Sequence, residues 1–194
     1  MSARSHRRAA PLLWLLLLGL LAGCAANLPQ SMVTASIAPP SSPPATTPDG
    51  IHPYQGELIQ CVPYAREVSG IDILGDAWTW WNGAVGKYAR GQQPKFMAVL
   101  VLSRTERLKL GHVAVVVDIV GPREIRVTQA NFGSDYASRH IIYDAMPVFD
   151  VSAANDWSAV RFWNYQLQAW GIVYPAYGFV YPERVDTVTA QGTP

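Results

Sequence analysis

Two neighbouring runs of β-branched residues constrain the fold of this chain more than any other feature. The run "HVAVVVDIV" covers residues 112–120 and "EIRVTQANF" covers residues 124–132, with only "GPR" between them. Val and Ile favour the pleated surface of a sheet, whereas Gly and Pro favour a turn. The two runs therefore predict an antiparallel hairpin.

Further apolar runs extend this hairpin to a sheet, and two helical segments precede most of it. Strands are predicted within residues 96–103, 140–144, 159–164 and 177–182. Residues 61–70, "CVPYAREVSG", predict a helix with Pro63 in its first turn and Gly70 at its end. Residues 75–91 predict a second helix with Asp76 as its N-cap. Helices followed by a run of strands indicate an α+β fold, with N-terminal helices packed on an antiparallel β-sheet.

The segments on either side of this domain have a different composition. Residues 1–23 join a basic start to a ten-residue apolar run, which is too short to span a bilayer and is typical of a signal peptide. Residues 24–50 are rich in Pro, Ser and Thr, which predicts a semi-extended linker. We therefore expect the folded domain at residues 51–182 and a loose tail at residues 183–194.

The apolar run ends in "LAGC", residues 21–24, which resembles the lipobox of bacterial lipoproteins. In that family the chain is cut before the cysteine, and the cysteine carries acyl chains. The resemblance implies a lipid membrane as partner through Cys24, and a location in the bacterial cell envelope. In a Gram-negative cell, Ala25 after the cysteine resembles lipoproteins that are sorted to the outer membrane, facing the periplasm. Simple cleavage and secretion is the alternative.

The charge of the chain gives no reason to expect nucleic acid as a partner. The whole chain carries a formal net charge of +1. Cleavage before Cys24 would remove Arg4, Arg7 and Arg8 and no acidic residue, so no basic excess would remain.

The second of the two cysteines, Cys61, has no cysteine partner if Cys24 carries lipid. A cysteine at a helix N-terminus gains thiolate character from the helix dipole and from a nearby base. Among the histidines after residue 23, His112 opens a predicted strand beside the small Gly111, and it is a better candidate for the base than His52 or His140.

A polar side chain is then needed to orient the imidazole. Gln129 and Asn131 are two residues apart near the end of the second hairpin strand, so both side chains should face the same side of the sheet. The hairpin would bring that end near His112. The alternatives are a cysteine buried for packing, a histidine satisfied at a strand entry and an asparagine in a turn.

These motifs together resemble the CHAP domain, a family of cysteine- and histidine-dependent amidohydrolases and peptidases. The resemblance runs from about Tyr54 to Phe132 and continues towards Trp163, through "QCVPYAR", "GHVAVVV" and "VTQANF". It implies a papain-like fold. One departure is Met97, which lies ahead of a predicted strand where the family often has glycine.

The resemblance also implies a role for each candidate residue. Cys61 would be the nucleophile, and His112 would be the general base and then the acid for the leaving amine. Asn131 would hold the histidine. Gln129 lies where many members carry glutamate, and an amide there offers no negative charge. The oxyanion hole would use the backbone N–H of Cys61 and the side chain of Gln60.

The sequence thus predicts an envelope-anchored cysteine amidase or endopeptidase that hydrolyses amide bonds of peptidoglycan through a Cys–His–Asn arrangement. We expect no cofactor and no metal, because the histidines and the thiol lack the spacing of metal ligands. A protein activator is left open. Two other functions remain open as well: a non-catalytic module that binds the cell wall, and an amidase that acts on a small peptide conjugate.

Overall fold

The computed structural model describes residues 37–39, 51–53 and 56–185. The predicted signal peptide, the predicted acylation site Cys24, most of the predicted linker and most of the predicted tail lie outside these residues. In the described ranges no helix is both long enough and apolar enough to cross a membrane.

The described residues form nine strands and a few short helices. The strands are β1 (Ile51–Pro53), β2 (Tyr88–Gly91), β3 (Val99–Leu102), β4 (His112–Gly121), β5 (Glu124–Ala130), β6 (Ile141–Asp150), β7 (Ala159–Asn164), β8 (Ala169–Trp170) and β9 (Tyr174–Arg184). The helices are α1 (Cys61–Ser69), α2 (Trp80–Gly83), which follows a 3₁₀ turn at Ala77–Thr79, and α3 (Tyr136–Arg139).

The strands pair in an antiparallel sheet with the order β1-β6-β5-β4-β3-β9-β7-β8, and β2 adds to β9. Strand β7 pairs with β9 and also with β6. Six strands, β6-β5-β4-β3-β9-β7, therefore close into a ring. The sequence predicted the antiparallel sheet, and the structure confirms it. The closure depends on pairing between β6 and β7 that no local pattern encodes.

Side chains alternate between the two faces of this ring. In β3, Leu100 and Leu102 belong to an inner cluster that also contains Ala114, Val116 and Val127. The alternate residues of β3 and β4 face the other side and form an outer cluster together with residues of the helices. This outer cluster includes Ala65, Trp80, Val99, Val101, Val113 and Val115. The continuous apolar run of β3 and the one in the first half of β4 thus have a simple cause, because both faces are buried there.

Helix α1 follows the sequence closely. Pro63 lies in its first turn, where a missing N–H costs nothing. Gly70 ends the helix with a left-handed φ of 72°, and its N–H donates to the carbonyl oxygen of Arg66. Ala65 of this helix is buried in the outer cluster.

The prediction of a second helix over residues 75–91 is wrong for most of its length. Helix α2 ends at Gly83, and residues 88–91 form β2, which pairs with β9. Gly86 has a left-handed φ of 72°, which is incompatible with a continuing helix. Glycine adopts this conformation at little energetic cost, because it has no Cβ. Asp76 precedes the 3₁₀ turn, but its side chain does not cap it.

Gly111 joins the loop before β4 to its first residue, and it cannot be replaced without strain. Its φ is 68°, and an added Cβ would lie 2.7 Å from the backbone nitrogen of Trp78 and 2.9 Å from the carbonyl oxygen of Leu102. Because these are backbone atoms, they cannot move away from an added Cβ without shifting the chain on both sides of Gly111. This close packing fixes the position of the next residue, His112.

We expect Gly111→Ala to lower the free energy of unfolding by about 2–4 kcal/mol, through the left-handed φ and the steric overlap. The matched control is Gly121→Ala at the far end of β4, because an added Cβ there meets no atom within 4 Å. Urea unfolding of the two variants measures the difference. Equal stabilities would contradict this account of Gly111.

Candidate active site

Cys61 is the first residue of α1, and its side chain is half-buried against the outer cluster. The backbone N–H of Val113 lies within hydrogen-bonding reach of its sulfur. Because Val113 directly follows His112 in β4, the thiol lies beside the start of this strand. Helix α1 thus places Cys61 close to the residue that directly follows His112, although Cys61 and His112 are 51 positions apart in the sequence.

Burial raises the pKa of the Cys61 thiol. The backbone N–H groups of Val113, Val62 and Cys61 itself lower it, but they do not outweigh the loss of hydration. We expected the helix N-terminus to favour the thiolate. The N–H groups do act in that direction, and the buried sulfur nevertheless stays a thiol at neutral pH.

His112 is buried at the first position of β4, on the same face of the strand as Ala114 and Val116. Its ring centroid lies 4.7 Å from that of Phe132, which also packs on the inner cluster. Burial lowers the pKa of His112 to about 4, against a smaller upward effect of the hydrogen bond to Gln129. The imidazole is therefore neutral at pH 7, as a general base must be before it takes a proton.

Gln129 holds the imidazole. Its Oε1 lies 2.9 Å from Nε2 of His112, and its own Nε2 donates to the sulfur of Met146 over 2.9 Å. The amide is completely buried in β5. The parity of the hairpin placed this residue on the correct side of the sheet, and the structure brings it into contact with the histidine.

Asn131 has a different partner from the one that we expected. We predicted that it would hold His112, but its Nδ2 donates to Oε1 of Gln60 over 2.6 Å. The physical reason is local, because Asn131 follows the last residue of β5 and has a φ of 57°. This left-handed turn breaks the strand alternation on which the prediction depended.

Gln60 immediately precedes the nucleophile candidate and is exposed to solvent. Its backbone is extended, and its carbonyl oxygen accepts the N–H of Tyr64 in the first turn of α1. The Asn131 amide therefore holds the side chain of the residue that directly precedes Cys61.

The other two histidine candidates belong to other parts of the fold. His140 follows α3, where its Nδ1 lies 2.7 Å from the carbonyl oxygen of Tyr136. His52 lies in β1, and its side chain is outside the described atoms. Within the described residues no group of three His, Cys, Asp or Glu side chains is arranged to hold a metal ion.

Sequence reasoning missed Met146. It lies in β6, outside every motif that we considered, and it contacts the site only because β6 pairs with β5. Met97 has a left-handed φ of 65°, which glycine adopts more easily than any other residue.

A family model described as the CHAP domain matches residues 52–131. The match supports a CHAP domain in this part of the chain, as the motifs predicted, and it includes Cys61, His112, Gln129 and Asn131. CHAP domains are typically hydrolases, either amidases or peptidases, and they suggest peptidoglycan as the substrate in general. No curated protein matches the chain.

The buried imidazole gives a prediction for stability as a function of pH. The folded pKa of about 4 is below the ordinary value of 6.5, so between these values the unfolded chain binds more protons. The contribution of His112 is therefore fully present above pH 6.5 and is lost as the pH falls to 4. At 1.36 kcal/mol per pKa unit the loss is about 3 kcal/mol.

The measurement is urea unfolding of the wild type and His112→Gln at pH 7, 5.5 and 4. We expect the difference between the two free energies of unfolding to change by about 3 kcal/mol in favour of the variant as the pH falls. A difference that does not depend on pH would mean that the ring is accessible to protons in the folded state.

Proposed function

We propose that this chain is a cysteine amidase or endopeptidase that hydrolyses amide bonds of peptidoglycan, with Cys61 as nucleophile and His112 as base. One observation carries the proposal. A neutral, buried imidazole is tied at Nε2 to Gln129, and the residue next to it, Val113, offers its N–H to the sulfur of Cys61. A papain-like arrangement of helix and sheet is consistent with this geometry.

The protonation states define the first chemical step. Because the pKa of the thiol is raised and that of the imidazole is lowered, both groups are neutral at rest. The thiol proton moves to Nδ1 of His112 as the sulfur attacks the carbonyl carbon of the substrate. The imidazolium then gives this proton to the leaving amine, and the acyl group remains on sulfur as a thioester. Water then attacks the thioester as the same ring takes its proton, the acid is released, and the imidazolium returns the proton to the sulfur.

Gln129 orients the imidazole without offering it a negative charge. Its Oε1 accepts the Nε2 proton, which leaves the Nδ1 lone pair for the thiol. A neutral partner is compatible with the low pKa of His112, whereas a carboxylate would raise it. In this chain the arrangement is therefore Cys–His–Gln, and Asn131 has a separate role.

That separate role is to position Gln60 for the oxyanion. The Asn131 amide occupies Oε1 of Gln60, so the NH₂ group of Gln60 is directed elsewhere and is available as a donor. Together with the backbone N–H of Cys61 it would bind the negatively charged oxygen that develops during attack.

The remaining part of the proposal concerns location. We propose that residues 1–23 are a lipoprotein signal peptide, that Cys24 carries acyl chains and that residues 24–50 connect the membrane to the domain. An enzyme held in this way at the bacterial envelope, on the outer membrane in a Gram-negative cell, would have the cell wall within reach.

The decisive experiment is digestion of purified peptidoglycan with the full chain, followed by mass spectrometry of the soluble fragments. We expect release by the wild type, and none above background by Cys61→Ala, since loss of a covalent nucleophile removes orders of magnitude in rate. Cys24→Ala is the matched control, because it removes the other thiol and should still release fragments. The new termini identify the bond that is cut.

Sedimentation with the same peptidoglycan separates the alternatives. Binding without release by any variant would overturn the proposal and support a wall-binding module. Hydrolysis of small peptide conjugates without release from the polymer would support the cysteine amidase reaction and contradict peptidoglycan as the substrate.

The oxyanion arrangement gives a second prediction, measured as kcat on isolated peptidoglycan fragments. We expect Gln60→Ala to lower kcat by roughly 10²–10³-fold, as is typical for loss of an oxyanion donor. Asn131→Asp should come close to this loss, because a carboxylate accepts only and would turn the Gln60 NH₂ group towards itself.

The double variant gives the check on this coupling. In the Gln60→Ala background, Asn131→Asp should change kcat little further, since its effect acts through Gln60. Additive losses, or wild-type kcat in Asn131→Asp, would contradict the role assigned to Asn131.

A further inference from the structure

A thioether, an amide and an imidazole form a buried chain of hydrogen bonds across β4, β5 and β6. Met146 accepts from Nε2 of Gln129, and Oε1 of Gln129 contacts Nε2 of His112, each over 2.9 Å. The three residues are 3%, 0% and 2% exposed, respectively. Solvent therefore does not compete for these contacts.

The amide of Gln129 has two orientations that occupy the same space, and Met146 distinguishes them. A thioether sulfur carries no proton and only accepts hydrogen bonds. In the observed orientation the NH₂ group faces the sulfur, so both ends of the amide are satisfied. In the reversed orientation the carbonyl oxygen would face the sulfur, and a buried acceptor would have no donor.

The orientation of the amide determines the tautomer of His112. When Oε1 faces the ring, Nε2 must carry the proton, and Nδ1 keeps its lone pair. When the NH₂ group faces the ring, Nε2 must be the acceptor and the proton must be on Nδ1. Only the first tautomer can accept a proton at Nδ1.

The position of Met146 is set by an irregularity in the sheet. Met146 pairs with Val127, and Gln129 pairs with Tyr143, so two residues along β5 correspond to three along β6. With Gln129 paired to Tyr143, a regular ladder would place residue 145 opposite Val127. The bulge places Met146 there instead, on the face that Val127 shares with Gln129.

We propose that Met146 is a positioning residue, whose sulfur selects the Nε2-protonated tautomer of His112 by fixing the amide of Gln129. The statement about the tautomer depends only on the geometry of these three residues, and its consequence for catalysis rests on the proposed function. The requirement is specific to glutamine. A glutamate at position 129 would accept with either oxygen and would not need an orienting sulfur.

The test is Met146→Leu in the full chain, with ¹⁵N-labelled histidine and NMR at alkaline pH, where the imidazole is neutral. Protonated and unprotonated ring nitrogens have well-separated ¹⁵N shifts, and the signal of His112 is assigned by its absence in His112→Gln. We expect a single Nε2-protonated tautomer in the wild type and a mixture of both tautomers in Met146→Leu. An unchanged tautomer in Met146→Leu would overturn the proposal.

Two further variants separate positioning from packing. Val148→Ala removes volume from the same strand and the same inner cluster, and it should destabilise the protein without changing the tautomer. Gln129→Glu combined with Met146→Leu should restore the Nε2-protonated form, because the carboxylate needs no orientation. If Met146→Leu does not fold alone, the double variant is compared with Gln129→Glu. A His112 ring that is protonated at Nδ1 in the double variant would contradict the proposal.

Kinetics give the consequence for the reaction. We expect Met146→Leu to lower kcat by roughly fivefold or more with little change in KM, since it reduces the fraction of competent enzyme and not substrate binding. Restoration of kcat by Gln129→Glu would support the proposal. Because the NMR reading needs no substrate, a failure of the proposed peptidoglycan activity would be recognised separately from a failure of this inference.

Discussion

The hydrogen bond between His112 and Gln129 is the interaction on which the site depends. It joins β4 to β5 inside the ring of strands, and it is buried together with the contact to Phe132. Burial keeps the ring neutral, and the bond keeps it oriented. The closed ring of strands has a direct chemical use, because an imidazole at an open sheet edge would be hydrated and free to rotate.

The proposed nucleophile, Cys61, packs on the outer face of this ring of strands. Helix α1 packs on the outer cluster through Ala65, and the hydroxyl of Tyr64 lies 2.6 Å from Oγ1 of Thr128 in β5. These contacts fix the helix against the same two strands that carry His112 and Gln129. The relative position of thiol and imidazole is therefore set by packing between elements, and not by a flexible loop.

Local patterns predicted the elements more accurately than the contacts between them. The hairpin, α1 and the strand at residues 159–164 follow from periodicity and turn residues. The closure by β7, the short β2 and the contact with Met146 depend on pairing between distant segments. Asn131 is the most instructive error. Its prediction assumed that the strand alternation continues to residue 131, but β5 ends at Ala130, and a left-handed φ directs the Asn131 side chain to Gln60.

Ile37 has a consequence for where the proposed enzyme would act. Its N–H donates to the carbonyl oxygen of Val151, the residue after β6 ends. With this contact in place, only 12 residues lie between Cys24 and Ile37, so 13 Cα-to-Cα steps would separate an acylated N-terminus from the domain surface. Such a segment spans at most about 45 Å when fully extended. Lipid attachment would then confine hydrolysis to the layer of cell wall nearest the membrane.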